Sequence, residues 1–167
     1  MEEDDEEVMN IDEEVEVEVA ADTGAVAHVV RKGDLPRTVK PVIPKDGKLK
    51  HFVSASDGRT TNYGLAEVEL IQEDGTTIDS TFNVTDVCRP LHSISTICDT
   101  DKEVLFMKQG GVVVPEGTFS RLLAQIARDG KVLAKYRRKG GLYVAKMRVR
   151  DPKRRPKSTF GRPGQGQ

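Results

Sequence analysis

The sequence predicts a mainly β fold, a small barrel or sandwich, on three observations. Val15, Val17 and Val19 alternate with Glu16 and Glu18, the period of two shown by a strand with one face in water. Asp57-Gly58 and Asp74-Gly75 punctuate the stretch from Lys48 to Val87, and both dipeptides favour the positive φ of tight hairpins. Further on, "EVLFM" and "GVVVP" flank Gly110-Gly111 in the manner of another hairpin. Short strands separated by such turn signals argue for a closed or double-layered β architecture.

Taken in order, the first strand starts at Val15 and runs into Asp22. Three strands follow between Lys48 and Val87, as a meander about the two Asp-Gly turns. After the Gly110-Gly111 hairpin, one short helix is expected near residues 118–128. Thr118 is placed to cap it, Phe119, Leu122, Leu123 and Ile126 share one face, and Gly130 stops it. The last strand lies in "GGLYVAKMRV", with Leu142, Val144 and Lys146 on one side and Tyr143, Ala145 and Met147 on the other.

A formal net charge of -1, from 26 Lys and Arg against 27 Asp and Glu, conceals a strong asymmetry. Residues 2–7 read EEDDEE, whereas the C-terminus reads "RVRDPKRRPKSTFGRPGQGQ". Like-charge blocks repel themselves and bury little. The expected organisation is therefore an acidic disordered tail over 1–14, one domain over 15–150, and a basic disordered tail over 151–167. Cys88 and Cys98 alone make no zinc framework, and they are expected to be free thiols in a reducing compartment. No apolar run approaches the ~20 residues that span a bilayer, and an acidic start is the opposite of a secretory n-region. The expectation is a cytoplasmic or nuclear protein with no membrane partner.

Asp22-Thr23-Gly24 is the first candidate for chemistry. A triplet of this type arises by chance in roughly one chain in ten of this length, so its surroundings decide its meaning. Those surroundings follow a fixed order. Ala25 and His28 come after the triplet, then Ala55-Ser56-Asp57-Gly58, Gly64, Asp74-Gly75 and Phe82-Asn83-Val84-Thr85-Asp86-Val87. Pro90-Leu91-His92-Ser93-Ile94-Ser95, Val104-Leu105-Phe106 and Gly140-Gly141-Leu142-Tyr143-Val144 complete the run. In this order the chain resembles the pepsin-like proteases of retroelements, most closely those of copia-type retrotransposon Gag-Pol polyproteins. The resemblance covers nearly everything between the two charged tails.

The resemblance implies a closed retropepsin-like β barrel, one catalytic Asp per chain, and a flap hairpin over a substrate groove at a homodimer interface. It implies an aspartic endopeptidase that processes a retrotransposon polyprotein, with a polypeptide as substrate and no cofactor. Two carboxylates sharing one proton can hydrolyse an amide, one as general base on a water and the other as general acid. With one triplet per chain, the second carboxylate has to come from a second copy across a two-fold axis. Asp22, Thr23 and Gly24 then form the catalytic turn: Thr23 reaches the opposite loop, and Gly24, lacking Cβ, lets its N–H approach the carboxylate. Ala25, Ser56, Asp57 and Gly58 face the substrate, the last two at the flap tip.

Three departures from the family pattern stand out. Ala20 and Ala21 replace bulky residues before Asp22, His92 stands where an apolar residue is usual, and 115–139 is a longer connection than usual. Ala20, Ala21 and His92 leave a second expectation open, a catalytically degenerate domain that binds peptides or nucleic acid. The stretch from Lys131 to Lys157 carries twelve Lys or Arg against one Asp, a composition suited to weak, nonspecific phosphate contact. His28, His51 and His92 show no ligand spacing, so no metal site is expected.

Overall fold

In a computed structural model, residues 14–53, 58–87 and 89–154 are described. The fold is mainly β. Its centre is a five-stranded sheet in the order β1-β7-β2-β6-β5, built from β1 (Ala20–Asp22), β2 (Val29–Val30), β5 (Asn62–Ile71), β6 (Thr77–Thr85) and β7 (Leu91–Ser93). The remaining strands form two-stranded ribbons: β3 (Phe52–Val53) with β4 (Arg59–Thr60), β8 (Lys102–Met107) with β9 (Gly110–Pro115), and β10 (Arg137–Lys139) with β11 (Leu142–Val144). Two helices complete the chain, α1 (Ile94–Cys98) and α2 (Ser120–Arg128).

The β5–β6 hairpin shows why the core sits where it does. In its register Gly64 faces Val84, Ala66 faces Phe82, and Val68 faces Ser80. These alternate residues project on one side, where Phe82 and Val84 are fully buried with Val30, Leu35 and Ala66. Glu67, Glu69, Thr81 and Asp79 fall on the opposite, wet side. Asp74-Gly75 closes the hairpin as expected: Gly75 takes φ +88, and Asp74 Oδ1 accepts from the Thr76 amide at 2.9 Å. Gly64 has a stricter reason to be glycine. At φ +127, a Cβ there would stand 2.8 Å from the Val42 carbonyl oxygen, because Val42 pairs with Leu65 through bonds of 2.8 and 2.9 Å.

Several expectations are corrected. The central sheet is open, not a closed barrel: β1 and β5 are its two edges, and the other ribbons pair only within themselves among the described residues. Regular pairing starts at Ala20 rather than Val15. Val17 and Val19 remain half-buried beside exposed Glu16 and Glu18, so the alternation governs burial without producing a ladder. The second hairpin turns at Lys108 and Gln109, since Gly110 already pairs with Met107 and Gly111 with Phe106. Gly111 is needed there because a Cβ would meet the Phe106 ring at 2.6 Å. The final strand stops at Val144 instead of running on to Val149.

Helix α2 forms where expected, but Thr118 does not cap it; its hydroxyl donates to the Pro115 carbonyl at 2.6 Å. The Glu103 carboxylate on β8 does so instead, accepting the Phe119 amide at 2.7 Å and the Ser120 amide at 3.3 Å. At the other end Gly130, at φ +68, donates to Ala127 and the Lys131 amide to Ile126, a Schellman ending. Helix α1 was not foreseen; Ser93 caps it by accepting the Thr96 amide at 3.2 Å. The chain 1–13 and 155–167, with Ser56, Asp57 and Cys88, lies outside the described residues. No helix of the described residues is long and apolar enough to cross a membrane.

Candidate active site

Asp22 ends β1, and its position is set by β7. The two strands run parallel, Ala20 beside Leu91, Ala21 beside His92 and Asp22 beside Ser93. The Ala20 amide donates to the Pro90 carbonyl at 3.1 Å, which starts the pairing. Leu91 also pairs with Val29 on β2, so β7 is gripped between the strand entering the loop 22–28 and the strand leaving it. Both ends of the loop are therefore fixed by one short strand.

Within the loop the Gly24 amide donates to Asp22 Oδ1 at 2.7 Å, and a Cβ at Gly24 would lie 3.2 Å from that same oxygen. Glycine thus permits the turn and supplies a donor to the carboxylate. Asp22 is half-buried, Thr23 and Gly24 are exposed, and Ala25 is half-buried. On the far side, Val26 supports the loop on two others: its carbonyl faces the Thr96 hydroxyl of α1 at 3.4 Å, and its side chain lies against Gly141. A Cβ at Gly141 would sit 2.9 Å from Val26 Cγ1, so the β10–β11 ribbon approaches the loop only because that position is glycine. Arg138 fastens the ribbon through a bidentate pair with Asp99 at 2.7 and 2.9 Å. Tyr143 and Cys98 also meet there; burial first, then the hydrogen bond to sulfur, push the phenol up to about 12.

Beneath the loop lies a cluster of rings that sequence reasoning did not assemble. The Ser93 amide donates to His28 Nδ1 at 2.9 Å, while the His28 carbonyl accepts from the Asn83 amide at 2.8 Å and from Asn83 Nδ2 at 3.2 Å. His92 stacks on Phe82 at 5.4 Å and meets His28 edge-on at 4.7 Å. Its Nε2 stands 3.4 Å from Ser80 Oγ, so the polar ring in an apolar position finds a partner. Burial, then the charges of His92 and Lys50, bring His28 from 6.5 to about 4, and burial lowers His92. The fold brings these residues together from 28, 80–83 and 92–93, separations that no local pattern announces.

The other site residues are distributed more loosely. Gly58 is exposed just before β4, and the β3–β4 pairing, Phe52 with Thr60 and Val53 with Arg59, has the form of a hairpin around the expected flap tip. A cleft of about 260 Å³ runs between the loop and the chain leading to that hairpin, lined by Ala27, His28, Lys50, Asn83 and Thr96 among others. A larger groove, about 710 Å³, is elsewhere, between Val15, Val17 and Val19 and the core residues Leu35, Val39 and Leu70. Neither includes Asp22. Among the described residues no group of three or more His, Cys, Asp or Glu is placed to hold a metal ion. Compared with protein-family models, curated proteins and solved structures, the chain has no match.

Proposed function

We propose that the chain is one half of an aspartic endopeptidase that processes a retrotransposon polyprotein. The observation that carries the reading is the Asp22 carboxylate itself. It is presented on a glycine turn at a sheet edge, holds one backbone donor at 2.7 Å, and has exposed Thr23 beside it. That is a half-site, since general acid and general base need two carboxyls.

The second comes from the Asp22 of another copy, related by a two-fold axis past the loop. The ionised carboxylate takes a proton from a water as the water's oxygen attacks the amide carbon. The protonated one donates to the carbonyl oxygen, and collapse of the tetrahedral species expels the amine, which takes up a proton. A peptide bound as an added strand between the β3–β4 ribbon and the loop supplies affinity through main-chain bonds. The groove then belongs to the pair of copies, which accords with Asp22 lining neither of the two clefts described above.

The test is cleavage of a peptide library by the wild type and by Asp22→Asn, with molar mass measured in parallel. The expected result is pepstatin-sensitive cleavage by a dimer, lost by at least 100-fold in the variant. Equal activity in both removes Asp22 from the chemistry.

A second reading, a binding module without catalysis, is favoured by the exposed basic surface from Lys131 to Arg154, where all the Lys and Arg side chains are exposed and Tyr136 lies among them. Salt-dependent binding of single-stranded RNA, with no cleavage of any peptide, would select it.

A further inference from the structure

Three features outside the catalytic turn stand out: the apolar face of α2, the basic surface beyond Lys131, and the histidine cluster under the loop. The cluster has the most complete geometry. His28 uses both its ring and its carbonyl to join separate strands.

We propose that His28 is a positioning residue: its neutral ring, accepting the Ser93 amide, clamps the loop 22–28 onto β7 and sets the acidic limit of the Asp22 site. The role given to Asp22 rests on the peptidase reading above; the clamp does not.

The chemistry follows from the acceptor. A ring that accepts at Nδ1 carries its proton on Nε2. Protonation places a second N–H on Nδ1, directly against the Ser93 N–H at 2.9 Å, so acceptor becomes donor and the bond is lost. Ser93 is the residue that flanks Asp22 across the β1–β7 pairing, and its hydroxyl accepts from the Thr96 amide and faces the Ser95 hydroxyl at 3.1 Å. Losing the clamp therefore frees the catalytic turn and the start of α1 together.

The surroundings oppose the charge from each side. His92 on β7 meets the ring edge-on, Phe82 on β6 lies at 5.9 Å, and Lys50 and Lys48 border the adjoining cleft. None of these groups offers an anion. An open loop, in water, takes up the proton near 6.5, whereas the closed loop refuses it until about 4. Between those values opening is coupled to one proton, and each unit of pH lost favours the open form by up to about tenfold.

The experiment compares hydrogen exchange at the Ser93 amide, as protection factors from pH 7 to pH 4, in the wild type and His28→Asn. Asparagine keeps an acceptor near the Nδ1 position and does not titrate. The expected result is a protection factor that falls more steeply in the wild type, by up to about tenfold per pH unit, while amides of the β5–β6 pairing respond alike in both. Equal slopes at Ser93 overturn the proposal. Should His28→Asn fail to fold, the ring nitrogen shifts of wild-type His28 decide: an Nε2–H tautomer at pH 7 titrating near 4 supports the clamp, and an Nδ1–H ring or a charged one at pH 7 overturns it.

The second arm reads peptide cleavage. The acid limb of kcat should move to lower pH in His28→Asn, with KM unchanged; an identical limb in both proteins sinks the acidic-limit claim. If neither protein cleaves any peptide while the Ser93 slopes still differ, the peptidase reading fails and the clamp stands.

Discussion

The two halves of the chain are held together by different forces. Among the described residues every buried apolar side chain lies at or before Ile94, in the five-stranded sheet and its margins, whereas most of the exposed large apolar side chains come from Leu105 onward. Helix α2 buries none of its residues, and Leu122, Leu123 and Ile126 face outward. The first half is ordered by burial of area. The second is ordered by its turns, the Glu103 cap on α2 and the Arg138–Asp99 pair, interactions of exposed groups that each contribute little. Stability should accordingly be lost in large steps before Ile94 and in small ones after it.

That contrast can be broken at four places. Phe82→Ala should have the largest effect, about 3–5 kcal/mol, because it empties the centre of the buried cluster and removes the ring under His92; urea unfolding with an unchanged m value measures it. Gly64→Ala comes next at about 1–3 kcal/mol, from the positive φ and the approach of the Val42 carbonyl. A shift in midpoint too small to resolve would show that the Val42 segment yields easily.

Smaller effects are expected in the second half. Asp99→Asn should lower the urea midpoint only slightly, since the ion pair is exposed, and the loss should shrink with added salt. Leu123→Gln should change the stability of a single copy by no more than about 0.5 kcal/mol, because the side chain is 55% exposed. A loss of several kcal/mol at Leu123, dependent on protein concentration, would instead place α2 inside an assembly and equalise the two halves.

Parts of both halves were legible in the sequence, and the reason is locality. Asp74-Gly75 closes the β5–β6 hairpin because that dipeptide suits the turn wherever it occurs, and Gly130 ends α2 for a similar reason. The Asp22 turn was legible as a candidate because Asp22, Thr23 and Gly24 are consecutive. Helix α1 was missed, since five residues offer no periodicity and its cap, Ser93, reads as part of a strand. The hairpin 102–115 was displaced by two residues because Gly110-Gly111 carries a turn signature but is spent on room for the Phe106 ring.

The sequence by itself determined the mainly β character, the hairpin at Asp74-Gly75, the helix before Gly130 and the single Asp-Thr-Gly turn, all of which follow from the conformational preferences of neighbouring residues. Only the tertiary structure decided that the sheet stays open, that Glu103 caps α2, and that His28 meets Ser93 and His92 beneath Asp22. Those outcomes depend on groups up to 70 positions apart finding one another's hydrogen-bond partners, and no local preference encodes which acceptor a buried amide will reach.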